Sequence, residues 1–403
     1  MANLLSKFGR IEAGRLHLDA AVHPLADLLD RTPEGVLDAF RRSQQADFLR
    51  VVADAERPES PLHTLFSELR DRVPADHPFH RIALFRPGAL AEMFLELNDH
   101  VMAHPVWRHP FFVRVFAGDF NAAQAGRFAT QYFNQIKNTR QCVALAIGRF
   151  HGLAAPSYGP LDQPVSELTQ IALAQLVADE YGVGCHAVDD YPALAHLLRA
   201  RTHIAMYRQF FDGLGIGANH QDVPMLPAVA DNVLVQRLVA GDAAFTPLEA
   251  LASVGLGMEW GVPEFFSLLL GGLIRFAGRE AMPLTPHHLE VFIAHVRYDV
   301  LHAVSVMLVT SLHMREADDM AAVKGACNLL MGSRFAMMTE LYRHVFGEDC
   351  AALAEIGLEP RHRIRDRRIE SALIGARRAV PPGRVTDGDY QRRTEVAFVF
   401  DTD

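Results

Sequence analysis

Apolar residues recur at three- and four-residue intervals along almost the whole chain, and alternation over a strand's length is scarce. That periodicity commits the chain to packed helices rather than sheets. Helix starts are legible. Thr246-Pro247-Leu248-Glu249 places a capping hydroxyl, a first-turn proline and a glutamate at the third helical position. Asn121 with Gln124 is a weaker version of the same signal, and Thr285-Pro286 predicts another start. The spacing predicts helices over about 121–152, 165–182, 190–213, 231–240, 246–277, 285–314 and 317–346. Several short helices with proline-rich joints at Pro58, Pro61, Pro74 and Pro78 are expected before residue 95.

Half of the 403 residues are hydrophobic and 22% are charged, enough for a real core and unlike a disordered chain. A net charge of −9 argues against nucleic acid as a partner. Cys142, Cys185, Cys327 and Cys350 are widely spaced with no CxxC pair, as for reduced thiols in a cytoplasmic protein. Met1–Gly14 lacks a secretory apolar run. The most apolar stretch, Phe265–Ile274, reads as too short and glycine-rich for a membrane span. The segment 359–403 holds ten arginines against eight acids and a Pro381-Pro382-Gly383 break, and reads as an Arg-rich tail serving salt bridges or a partner surface.

Histidine is abundant, 20 residues in all, and its placement matters because it is the commonest metal ligand. In His295-Val-Arg-Tyr-Asp299-Val-Leu-His302 the two imidazoles and the carboxylate occupy positions i, i+4 and i+7. On a helix these fall within about 60° of each other. A mixed N/O set projecting from one stripe suits iron, manganese or zinc in a helical bundle. Shuffling this composition gives roughly 0.12 such triplets, so its companions decide between a ligand set and a salt-bridged helix face. Glu180 closes an apolar helix. Glu259 lies in the apolar Leu256-Gly-Met-Glu-Trp-Gly-Val-Pro263. A buried carboxylate there needs a metal or an arginine such as Arg275 or Arg297. His196 and His203 share a helix face, seven residues apart.

These residues resemble the heme-oxygenase-like diiron oxidases, a branch of the thiaminase/PQQ-synthase-like helical fold known as iron-containing redox enzymes. The resemblance covers roughly residues 104–315. It runs through His109-Pro110-Phe111, Gly118, Phe128-xx-Gln131-Tyr132, Asp179-Glu180-Tyr-Gly-Val-Gly, Met258-Glu259-Trp-Gly-Val-Pro-Glu-Phe and the His295/Asp299/His302 triplet. The last two matches are the specific ones. The implied fold is all-α: a seven-helix bundle within a domain at 96–315, with an N-terminal helical extension at 1–95, packed on the bundle or building a dimer interface, a C-terminal helix at 316–358 and the tail. The implied metal ligands are Glu180, Glu259, Asp299, His295, His302 and a third histidine, ranked His203, His196, His186. One departure stands out. Many members carry a first-helix glutamate after the Gln-Tyr pair, where this chain has Asn134-Gln-Ile-Lys137-Asn138.

Three carboxylates and three imidazoles suffice for two Fe(II) per chain, with O2 as co-substrate. The resemblance implies an oxidase or oxygenase of a small organic substrate (an amino acid, amine or fatty-acid-like molecule), acting by N-oxygenation, desaturation or oxidative C–C cleavage. It implies an external electron donor and a homodimer. A pocket between the 128–151 helix and the Phe-rich 265–276 region is expected, with Arg140 or Lys137 to clamp a substrate carboxylate. A lysine at position 137 also fits a metal-free enzyme of the same fold, with Lys137, Tyr132 and the histidines as acid/base groups. A non-catalytic helical binding or regulatory protein is the third reading.

Overall fold

Proline and polar caps punctuate the helices. In the computed structural model, which describes residues 9–12, 15–18, 31–150, 158–182, 202–356, 362 and 366–371, the first long helix α1 (Pro33–Glu56) starts where Thr32 Oγ1 accepts the Gly35 N–H at 3.1 Å. It runs unbroken for 24 residues, contrary to the expected series of short helices, because no proline interrupts it before Pro58. A two-stranded antiparallel ribbon, β1 (Gly9–Glu12) and β2 (Arg15–Leu18), precedes it. This was not expected, and it is the only sheet among the described residues.

The chain continues through α2 (Pro61–Arg70), α3 (Ala89–Met102), α4 (Pro110–Phe116), α5 (Ala122–Ile147), α6 (Asp162–Glu180), α7 (His203–Gly213), α8 (Pro227–Gly241), α9 (Pro247–Ala252), α10 (Val262–Arg279), α11 (Glu290–His313), α12 (Ala317–Phe346) and the short α13 (Leu353–Ile356). The Asn121/Gln124 and Thr246/Glu249 capping boxes are both formed. Thr285-Pro286 opens only a turn. Leu289 N–H closes it on the Thr285 carbonyl, and α11 starts four residues after the proline.

The predicted 246–277 helix is not uniform. Between α9 and α10 the backbone widens into a π-helical segment, Ser253–Glu259. Such segments are uncommon and often mark functional positions. The whole stretch Pro247–Arg279 is long and apolar enough to cross a membrane by length and composition, which corrects the reading of its Phe-rich part as too short. Yet 89% of its most apolar window is buried inside the bundle, as for a core helix.

One continuous apolar core extends from Val36 to Ile369. α5 packs on α6 and α8, α8 on α12, and α10 on α11 and α4. α1 lies against α3 and α10, with the Phe48 ring 5.3 Å from that of Trp260. The α4–α10 approach depends on Gly272, where a Cβ would come within 2.0 Å of the Val115 carbonyl oxygen. After α4 the chain reverses through Gly118 at φ +74°, a conformation that favours glycine. Arg275 and Arg279 hold this turn by donating to the carbonyls of Phe116, Gly118 and Phe120. In the C-terminal segment Arg368 forms ion pairs with Glu249 and Asp366, each at 2.7 Å.

Candidate metal centre

α11 carries His295, Asp299 and His302 into the bundle centre, where all three are buried. α6 ends on Glu180, α7 begins on His203, and the π-helical segment ends on Glu259. These six residues form two buried triads, Glu180/His203/His295 and Glu259/Asp299/His302. Within each, one donor atom per residue lies within 4.8 Å of the others. Helix termini and a π segment supply the donor groups that α11 does not supply alone.

Asp299 lies where the triads meet. Its Oδ1 is 3.5 Å from His302 Nδ1 and its Oδ2 is 3.9 Å from His295 Nε2. Asp299 Oδ2 is buried with no hydrogen-bond partner among the described residues. An orphaned carboxylate oxygen inside a protein is costly, and a metal is the partner this donor set fits.

The outer partners fix the histidines. His295 Nδ1–H donates to the Val291 carbonyl, one turn back, at 2.6 Å, which leaves Nε2 facing the centre. His302 Nε2–H donates to Asp179 Oδ2 at 2.8 Å, leaving Nδ1 facing Glu259 Oε2 at 3.7 Å. A carboxylate or carbonyl behind a histidine sets its tautomer and its basicity as a ligand. Gln175 donates to the other oxygen of Asp179 at 3.0 Å and steadies it. His203 Nδ1 is 3.0 Å from Glu180 Oε1.

The electrostatics separate the histidines. Burial, reinforced by neighbouring His203, lowers the His295 pKa to about 3, so it is neutral at physiological pH. Burial also opposes charge on His302, but the hydrogen bonds to Asp179 and Glu259 and the Asp299 charge outweigh it and raise its pKa to about 11. His203 is raised because the Glu180 carboxylate overcomes burial, and that pairing holds Glu180 low. Burial, then the Glu259 charge, pushes Asp299 well above the usual carboxylate range.

A cleft beside the triads is lined by Tyr132, Gln135, Ile136 and Thr139 of α5, Met258 and Glu259, Val262 and Phe266 of α10, and Arg334 of α12, together with Glu180, His295 and Asp299 of the triads. It encloses about 350 Å³ of space between atoms, some of it open solvent, with a free interior of about 30 Å³. Phe266 stacks on His295 at 4.3 Å with the rings 10° apart.

Other expectations fall elsewhere. Lys137 is not in the cleft lining. It pairs with Asp222 at 2.8 Å and sits over the Phe133 ring. It lies one residue along the helix from the cleft-facing Ile136. Arg140 lies over the Tyr181 ring at 4.5 Å, also outside the lining. Tyr132 does reach the cleft, but burial raises its phenol pKa, and it stacks between Phe128 and Phe265. Arg275 serves the Gly118 turn by donating to the Phe116 carbonyl, and the Arg297 side chain lies outside what the structure describes. His186 and His196 also lie outside the described residues. Gln131 clamps the chain before α8, donating to the Pro224 carbonyl and accepting the Leu226 N–H. His109 caps α4 by accepting the Phe111 N–H at 3.1 Å.

Two residues escaped sequence reasoning. Asp179 adjoins Glu180, and the acidic pair was its only signal. Arg334 is one cation among several on α12, with nothing local to mark it.

No protein-family model matches the chain, and no curated protein matches it in sequence. Among solved structures it is similar to a TenA homolog from Pseudomonas syringae pv. tomato, with a TM-score of 0.45 and 9% identity over 64% of this chain and 93% of that one. It is also similar to a domain of unknown function with a heme oxygenase-like fold from Shewanella denitrificans, with a TM-score of 0.41 and 13% identity over 64% of this chain and 94% of that one.

Proposed function

We propose that the protein is a non-heme diiron oxidase or oxygenase that uses O2 on a small organic substrate, within a heme-oxygenase-like bundle. The observation that carries this reading is the pair of buried triads joined at Asp299. Glu180, His203 and His295 would hold one iron, and Glu259, Asp299 and His302 the other. Three carboxylates bring about −3 against +4 for two Fe(II), close to neutrality for a buried site. Two irons bound there would supply the electrons and open coordination positions for O2 chemistry.

The chain's own residues have distinct tasks. Asp299 spans the two positions. Asp179 retains the proton on His302 Nε2 and so presents Nδ1 as the ligand atom. The Val291 carbonyl does the same for His295 in the opposite sense. Phe266, Met258 and Val262 give the cleft beside the ligands an apolar wall that limits water. The metal-free reading asks Lys137 to act on substrate, and its pairing with Asp222 away from the cleft weighs against that.

The test is anaerobic loading with Fe(II), then exposure to O2 while following oxygen uptake and the visible spectrum. Rapid O2 consumption with a transient absorbing species is expected. Both should vanish in His295→Ala and in Asp299→Ala. A parent protein that binds no iron under any condition overturns the proposal.

A further inference from the structure

Arg334 is 5% exposed and lines the cleft beside the two triads, yet it makes no hydrogen bond or ion pair among the described residues. Its described contact is the Phe265 ring, 5.6 Å from the guanidinium carbon. Glu259, whose charge acts on Arg334, is turned to His302 instead. A buried guanidinium is ordinarily paired, because removing an unpaired charge from water is expensive.

The position is built rather than incidental. The preceding residue, Ser333, donates to Asn232 Oδ1 at 2.9 Å. Asn232 donates to Gln135 Oε1 at 2.7 Å, and Gln135 donates to Gln236 Oε1 at 2.9 Å. This amide chain locks α12, α8 and α5 together behind the cleft, so the backbone that carries Arg334 is fixed. The expected clamps, Arg140 and Lys137, are engaged by Tyr181 and Asp222 outside the lining.

We propose that Arg334 is the anchor for a carboxylate group of the substrate, holding it in the cleft with the rest of the molecule toward Tyr132, Phe266 and Met258. The substrate class is thus an organic acid, an amino acid or a fatty acid rather than a simple amine. This rests on the diiron reading for the chemistry that follows, though not for the binding itself. Arginine suits the task because its planar fork meets a carboxylate with two parallel hydrogen bonds. The small free interior suits a flat head group, and an unbranched, flexible methionine at its wall can yield to a tail.

The test uses the full-length protein and three probes of equal length: hexanoate, hexanamide and hexylamine. Binding is measured by calorimetry on metal-free and on zinc-loaded protein. Hexanoate should bind at least about tenfold more tightly than the other two, an electrostatic preference of ordinary size for a buried charge pair. In Arg334→Gln the preference should shrink to within about twofold, while Arg334→Lys, with the charge but not the fork, should keep part of it. Zinc stoichiometry and thermal unfolding of the same preparations should match the parent. Should Arg334→Gln not fold, the Arg334→Lys comparison alone decides.

A parent without preference for hexanoate, or an Arg334→Gln protein that keeps the full preference, overturns the proposal. Carboxylate preference in a protein that takes up no metal leaves the anchor standing and removes the diiron reading. Metal uptake without that preference does the reverse.

Discussion

The two triads are both mixed nitrogen/oxygen sets but differ in composition and construction: two imidazoles and a carboxylate in one, two carboxylates and an imidazole in the other. Glu259/Asp299/His302 draws two of its three residues from one turn of α11. Glu180/His203/His295 draws one residue from each of three helices. The electrostatic contrast follows. His302 is backed by Asp179 and faces two carboxylates, so it is held protonated until a metal arrives. His295 is backed only by a neutral carbonyl and crowded by His203, so it is already in the form that binds a metal. A shared helix face fixes where the donor groups point, while their outer partners fix which proton would have to leave for a metal to bind.

The largest effect should come from removing Asp299, the residue at which the two triads meet. Asp299→Ala is expected to take bound metal from about two per chain to about one or fewer, because one triad loses a member and the other loses the carboxylate 3.9 Å from His295. Elemental analysis of the loaded variant reads this directly, and an undiminished two would dissolve the pairing of the triads. His302→Ala and His295→Ala should each retain about one metal.

Asp179→Asn tests the outer partner by itself. It keeps the shape behind His302 and loses the charge, so metal affinity should fall by about 10–100-fold at that triad, and the other should hold. Competition with a chelator of known affinity measures it. Equal weakening at both triads would erase the contrast between them.

Protonation sharpens the same comparison. His302 has its pKa raised to about 11, so a metal must displace its proton at any lower pH. Uptake at the His302 triad should therefore tighten by at least about tenfold per pH unit between about pH 6 and pH 9, more steeply where Asp299 must also lose a proton, and release protons into weakly buffered solution. His295, at about 3, adds nothing to that release. Uptake that is flat with pH would contradict the charge pattern.

Smaller effects concern the frame. Gly272→Ala forces a Cβ into the Val115 carbonyl and should cost about 1–3 kcal/mol, read as a lower melting temperature. The metal ratio between triads should not change. His109 and His313 are buried and neutral, each with its pKa lowered by burial to about 3. The unfolded chain binds protons near pH 6.5 and the folded chain does not, so stability contributed by these groups is complete above about pH 6.5 and is lost as pH falls toward 3. His109→Gln should flatten that acid limb by a fraction of its depth.

Much of the frame was legible because it is local. The Asn121/Gln124 box starts α5 where the spacing predicted, and α12 spans the predicted 317–346. The α11 triplet was legible because helical geometry alone puts i, i+4 and i+7 together, and Glu259 stood out as an acid in an apolar run. Long-range partners were not legible. Asp179 meets His302 across 123 residues, and Arg334 meets the cleft only after α5, α10 and α12 pack. Periodicity could not tell that Lys137 faces Asp222 while Ile136 faces the cleft, since adjacent residues differ by only about 100° around a helix. Nor does it signal the widened turn of the π segment before Glu259.

The central claim is that one buried centre holds two metals. Anaerobic titration of the full-length protein with Fe(II), followed by Mössbauer spectroscopy of the frozen sample, tests it most directly. The account predicts a break at about two equivalents per chain and two iron environments coupled through a shared carboxylate. A break at one equivalent, or no saturable uptake, would contradict it.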